Sequence, residues 1–264
     1  MDAIVIAGGV PQPDDPLYPY TKETPKALLD ICGKPMGQWV LDALCTAETV
    51  DHIVIVGLSE ESGLTCEKTG AFITDQGGML DNIRAGVEKA LEINPDAHHA
   101  LLVSSDIPAI TAEIVDWVVN SAMETDEDLY YNLVTRQVME ARFPDARRSF
   151  VRLKDVEVCG GDINIIRTML VTGNDELWEK IVAARKNAFK QAALLGFDTL
   201  ILLMLRLITL EGAVKKVTRR INLTGRAILC PYAEVGMDVD KPHQLEILRA
   251  DLAQRGEAKG SDKV

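Results

Sequence analysis

The apolar run AIVIA, residues 3 to 7, ends on Gly8 and Gly9, and the loop beyond it carries two lysines, Lys22 and Lys26, and no arginine. Glycines at a strand's end let the backbone approach a ligand and turn its N–H groups towards anionic oxygens. Lys26 follows a proline step in TPKALLDICGKP, so its stem is held while its ammonium faces the loop. That suits neutralising a polyphosphate. In LLVSSDIP, Asp106 directly follows an apolar strand and must emerge at its carboxyl end, where a hard oxygen can hold magnesium. In EVGMDVDKPHQL, Asp238 and Asp240 alternate along an extended segment and so face one side. Two carboxylates on one side repel unless a cation lies near them.

Each stretch also has a plainer reading. The glycines can form an ordinary turn, Lys26 can be a solvated surface charge, and Asp106 can open the next helix. Asp238 and Asp240 can complement the N-terminal dipole of the helix that follows. The segment RFPDARRSFVRLKDVEVCGGDIN gathers Arg142, Arg147, Arg148, Arg152 and Lys154. Such a cluster either binds a phosphorylated molecule or is a basic strand edge that discourages pairing. The four histidines have no nucleophile at a useful spacing and read as structural or surface residues.

The elements that must position these residues are α/β in character. AIVIA, HIVIVG (52–57) and ALLVSS (100–105) are short apolar runs of the kind buried on both faces of a parallel sheet. Between them, Val40, Leu44 and Ala47, and then Leu80, Ile83, Val87 and Leu91, recur at helical spacing. Strands alternating with helices imply right-handed crossovers and ligands at the strands' carboxyl ends, where Gly8–Gly9, Thr74–Asp75 and Ser105–Asp106 fall. Thr111 is placed to cap a helix using Ile114, Val118 and Ala122. Residues 128–167 read as an antiparallel elaboration over the site, 175–220 as a helical insert and 226–230 as a strand. A closing helix starts near Pro242, and a polar tail covers 256–264. One domain over residues 1–255 is expected.

Composition bounds the partners. The 264 residues are 47% hydrophobic, enough for a full core, and carry a formal net charge of −12. An acidic surface argues against nucleic acid and against anionic membranes. Five cysteines without a C-x-x-C pair argue against a disulfide framework or a zinc site. With no basic-then-apolar leader before the first strand, a reducing cytoplasm is the expected location. The run LGFDTLILLMLRLITLEGAV, residues 195–214, is too short in its apolar part to span a membrane and reads as a buried helix.

Taken together, AGG, P-K-A-L-L-x-x-x-G-K-P, a strand ending in S-D-I-P and D-V-D-x-P-x-x-L resemble the nucleotidyltransferases with a MobA-like NTP transferase domain. The resemblance runs from Ala3 to about Leu252 and implies a Rossmann-like nucleotide-diphospho-sugar transferase fold. It implies that Ala7, Gly8 and Gly9 cradle the triphosphate and that Lys26 neutralises it. It also implies that Asp106 and Asp240 bind Mg²⁺, with Asp238 the alternate ligand. Gln76, Gly77, Gly78 and Asn82 lie where the family contacts base or ribose. The reaction implied is transfer of NMP from an NTP to a phosphorylated small-molecule acceptor, with release of pyrophosphate. Arg148, Arg152, Gly161 and Asp162 are the acceptor-side candidates. The family's opening loop usually carries an arginine after AGG. Here the sixteen residues Val10–Pro25 carry none, and Lys22 is the cation available in its place. A nucleotide-sugar-dependent glycosyltransferase and a non-catalytic nucleotide-binding protein are the alternatives; the lysine of P-K-A-L-L argues against the former.

Overall fold

A computed structural model describes residues 1–173, residue 178 and residues 196–261. The expected helical insert at 175–220 therefore lies partly outside the described residues, as does the end of the polar tail.

The three apolar runs form β1 (Asp2–Ile6), β4 (Ile53–Val56) and β6 (His99–Ser104). Between β1 and β4 lie the short helix α1 (Tyr18–Thr21), the two-residue strands β2 (Asp30–Ile31) and β3 (Lys34–Pro35), and α2 (Met36–Thr46). β5 (Thr69–Ile73) and α3 (Met79–Ile93) complete the crossover to β6. β1 pairs in parallel with both β4 and β6, and β4 pairs in parallel with β5. The carboxyl ends of all four strands thus share one edge, and Gly8, Asp75 and Asp106 stand along it. Ala3, Val5, Ile53, Ile55, Leu101 and Val103 point into the larger core, while Ile4, Val54, Val56 and Ala100 pack against α3 on the opposite face. Burial on both faces is why these strands are continuously apolar.

α4 (Ala112–Ala122) is capped as expected, the Thr111 hydroxyl accepting from Ile114 N. β7 (Leu129–Thr135), α5 (Arg136–Arg142), β8 (Val151–Arg152), β9 (Glu157–Arg167) and α6 (Thr168–Thr172) follow. The antiparallel character expected of 128–167 resides in β9. It is built into the central sheet between β6 and β7, giving, with β10 (Gly225–Cys230), the order β10-β7-β9-β6-β1-β4-β5, with β8 on the side of β9. Its apolar residues Ile163, Ile165 and Ile166 are buried, so the strand is core rather than cover. Its first residues, 157–162, extend past the carboxyl end of β6 and reach the ligand edge.

Helices α7 (Phe197–Met204) and α8 (Leu210–Ile221) lead to β10 (Gly225–Cys230), parallel to β7, and to α9 (Pro242–Ser261). The closing helix continues through Ser261, so the expected tail from residue 256 is largely helical. The expectation of a buried helix in 195–214 is overturned. Among the described residues, Leu202 and Leu203 of α7 pack against Leu133, Leu153, Val158 and Ile208, while Ile201 and Met204, with Leu205 and Leu207 just beyond the helix, are exposed.

Candidate active site

A single backbone hydrogen bond sets the geometry. Lys26 N donates to Gly9 O at 2.8 Å, closing the loop Val10–Pro25 at its neck. Leu17 and Thr21 are buried and anchor that loop in the body of the protein. The neck holds Gly9 beside Lys26, the two groups that the resemblance assigns to one triphosphate. Gly8 is held tightly: a Cβ there would meet Asp75 Oδ1 and Gly57 Cα, both at 2.9 Å. Around Gly9 the space is open.

The Lys26 ammonium bridges two carboxylates, 2.7 Å from Asp106 Oδ2 and 2.6 Å from Asp240 Oδ1. Burial works against its charge, but Asp106 and Asp240 outweigh burial and its pKa is raised. Ser104, absent from the sequence reading, donates its hydroxyl to Asp106 Oδ1 at 2.6 Å and orients that carboxylate. The C-terminal acids reach the site because Val239 N donates to Asp106 O at 2.9 Å, docking the extended segment before α9 beside the end of β6. Asp238 is buried and paired with Arg148. Carboxylate oxygens of Asp106, Asp238 and Asp240 all lie within 4.8 Å of one another.

Asp162 enters from β9. Burial first, then Asp106 and Asp240, push its carboxyl up to about 7, with Arg148 and Lys26 pulling the other way. Its Oδ2 is buried and unpartnered, as is Arg148 Nε. Four carboxylates, Asp106, Asp162, Asp238 and Asp240, thus face two cations, Lys26 and Arg148. A concentration of hard oxygens with surplus negative charge fits a divalent cation such as Mg²⁺.

A cavity of about 360 Å³ runs from this cluster along the sheet edge, lined by Gly8, Gly9, Lys26, Gly77, Asn82 and Asp106 among others. Gly77 and Gly78 line it, and Gly77 has a φ of 84°, which a side chain would strain. Asn82 is buried; its Oδ1 accepts from Gln76 N and its Nδ2 donates to Asp75 Oδ1, both at 2.7 Å. It therefore shapes the loop after β5 rather than offering a free amide. The Gln76 side chain turns back to Thr74 O at 2.7 Å. Asp75 and Ser105, which the strand pattern puts at the ligand-bearing edge without assigning them a role, line the cavity. The signal for Asp75 was available, since it follows β5 much as Asp106 follows β6. Ala7 is buried behind the cavity, donating to Val56 O at 2.7 Å.

Three further candidates do not line the cavity. Lys22 is exposed at the end of α1, with a φ of 43° and no side-chain partner among the described residues. Arg152 lies on β8, ion-paired with Glu157 at 2.8 Å. Gly161 does not open the backbone to an acceptor, because a Cβ there would meet Val235 Cγ1 at 2.7 Å and Asn132 O at 2.9 Å. Its missing side chain serves packing.

Comparison with known proteins places the family and the fold. Residues 3–194 match the model of the MobA-like NTP transferase domain. The chain belongs to that family. A solved structure described as a hypothetical transferase from Thermus thermophilus superposes with a TM-score of 0.79 at 33% identity, covering 92% of this chain and 98% of that one. A CMP:2-keto-3-deoxy-manno-octonic acid synthetase complexed with CTP shares the fold, with a TM-score of 0.59 at 16% identity over 96% of this chain and 98% of that one. A 3-deoxy-manno-octulosonate cytidylyltransferase of Zea mays is 29% identical over 134 residues, 49% of this chain and 44% of that protein. The chain thus matches less than half the length of that curated relative. The family is one of NTP transferases, and the Zea mays relative is named as a cytidylyltransferase.

Proposed function

We propose that the protein is a Mg²⁺-dependent nucleotidyltransferase that moves NMP from an NTP to a phosphorylated small-molecule acceptor and releases pyrophosphate. The observation that carries this reading is the Lys26 ammonium held between Asp106 and Asp240 at the neck of the Gly9 loop. An ammonium there can leave its carboxylates for phosphate oxygens when an NTP enters.

An acceptor phosphate oxygen attacks the α-phosphorus, a new P–O bond forms, and the bond to the bridging oxygen breaks, so pyrophosphate leaves with the electron pair. Little covalent work falls to the protein, and catalysis is positioning with charge neutralisation. Asp106 and Asp240, with Asp238 beside them, would hold Mg²⁺, which when bound supplies charge neutralisation at the phosphates. Gly8 and Gly9 present backbone to the triphosphate, and the 360 Å³ cavity past Gly77 and Gly78 takes the nucleoside. Lys22 is the cation of the opening loop nearest in role to an arginine, though its contact would not be bidentate. On the acceptor side, Arg148 Nε and Asp162 Oδ2 are the unpartnered buried polar atoms available to a phosphate and its hydroxyl neighbours. Arg152 is already paired with Glu157, which argues against it as an acceptor ligand.

Pyrophosphate release, assayed with each of the four NTPs, Mg²⁺ and a panel of sugar and polyol phosphates, tests the reading. Asp106→Asn is expected to reduce the rate by on the order of 10³-fold with the fold intact. Undiminished turnover in that variant overturns the assignment. A glycosyltransferase would instead release a nucleoside diphosphate from a nucleotide sugar, and the same panel separates the two.

A further inference from the structure

The helix α7 and the turn after it present an apolar surface that the core does not use. Leu202 and Leu203 pack against the cluster of Leu133, Leu153, Val158 and Ile208. On the other side, Ile201, Met204, Leu205 and Leu207 are between 51% and 76% exposed. Ile201, Met204 and Leu205 stand at i, i+3 and i+4, so they form one stripe. Asp198 lies one turn before Ile201 on that stripe and is ion-paired with Lys216 of α8. The cationic side of α8 therefore borders the apolar stripe. Lys215, Lys216, Arg219 and Arg220 line a cleft of about 500 Å³ between the two helices.

Charge and side-chain type indicate the partner. The chain carries a net charge of −12, yet residues 197–222 hold five cations against two carboxylates. This local reversal of sign selects an anionic partner. None of the exposed apolar residues named is aromatic, whereas protein interfaces anchor most often on Trp and Tyr. Aliphatic residues bordered by lysine and arginine are the composition of helices that lie in a lipid interface. Among the described residues no helix is long and apolar enough to cross a membrane, so the surface would rest on a bilayer rather than span it.

We propose that α7 and α8 form a docking surface for an anionic lipid bilayer. The surface is tied to the acceptor side of the candidate site. Lys154 N donates to Ile208 O at 2.9 Å and Leu210 N to Asp155 Oδ1 at 3.0 Å, fixing it to the turn between β8 and β9. From that turn β9 runs directly to Asp162. Docking would present the acceptor side to molecules held at the bilayer surface. The proposal stands independently of the nucleotide chemistry.

Co-sedimentation of the full chain with vesicles, in the absence of nucleotide, tests it. Binding is expected to vesicles of phosphatidylcholine mixed with phosphatidylglycerol, and to be at least about tenfold weaker with phosphatidylcholine alone. Met204→Asp with Leu205→Asp, and separately Lys215→Glu with Arg219→Glu, should each weaken binding at least about tenfold, with thermal melting unchanged because all four side chains are exposed. Failure to pellet with anionic vesicles overturns the proposal, as does pelleting that neither double variant reduces. A concentration-dependent dimer split by Met204→Asp with Leu205→Asp, without vesicle binding, overturns it in favour of a second copy of the chain.

Discussion

Lys26 and Asp162 answer the same imbalance of charge in opposite ways. Lys26 gains from the acids around it and holds its proton more firmly, while Asp162 is pushed up to about 7. Because Lys26 occupies two of the carboxylates proposed to hold a metal, on that reading it would compete with Mg²⁺ until an NTP drew it away. Lys26→Gln is therefore expected to tighten Mg²⁺ binding to the nucleotide-free protein by about tenfold while lowering turnover by on the order of 10²–10³-fold. Calorimetry and a pyrophosphate assay read the two effects, and a parallel loss of both would show that Lys26 organises the acids rather than competing with metal. Asp162 gives a pH signature. Its folded pKa lies above its unfolded value, so the folded state binds the extra proton between about pH 4 and pH 7. Stability from this group is greatest below that window and is lost as pH rises through it, at most about 4 kcal/mol. In metal-free buffer, the melting temperature of Asp162→Asn minus that of the wild type should rise from pH 4 to pH 7 and level off above. A flat difference would mean that the carboxyl does not titrate late.

Elements place these residues, and here the sequence was legible in some parts and silent in others. The parallel strands, Thr111 as a cap and the edge bearing Gly8–Gly9 and Asp106 could be read because burial on both faces and helical spacing leave plain marks. That Gly9 and Lys26 serve one triphosphate was implied by the family resemblance, but the backbone hydrogen bond that joins them was not legible, since a bond across sixteen residues leaves no periodic trace. The packing role of Gly161 was equally hidden, because it depends on Val235 and Asn132 from distant parts of the chain. The apolar run at 195–214 misled because an exposed aliphatic stripe and a buried one have the same spelling. Gly57 shows how closely two strand ends support the site. Its φ is 103°, and a Cβ would fall 2.1 Å from Gly8 Cα. Gly57→Ala is expected to cost roughly 2–4 kcal/mol by denaturant melting and to abolish NTP-induced thermal shifts even where the protein still folds. Leu17→Ala should remove a buried anchor of the opening loop, costing about 2–5 kcal/mol if that loop is part of the cooperative core. An unchanged midpoint would show that the loop melts on its own.

At the scale of the whole molecule, the two proposed binding surfaces sit in one electrostatic field and should respond to it with opposite sign. A net charge of −12 repels an NTP at long range, and the site itself holds Asp106, Asp162, Asp238 and Asp240 against Lys26 and Arg148. The α7–α8 surface is locally cationic and, on the docking proposal, would attract anionic headgroups. Screening shortens the reach of both fields, from about 30 Å at 0.01 M salt to about 8 Å at 0.15 M. Raising salt across that range should therefore speed association of a fluorescent NTP, measured by stopped flow at fixed free Mg²⁺, because repulsion is what salt removes. Over the same range vesicle binding should weaken, because attraction is what salt removes there. The Lys215→Glu and Arg219→Glu double variant separates the two: it should lose the salt dependence of vesicle binding and keep the rise in NTP association rate. If NTP association instead slows with salt in the wild type, the local pull of Lys26, Arg148 and Lys22 on the phosphates exceeds the repulsion of the surrounding acids, and the opening loop supplies more positive field than its sequence declares.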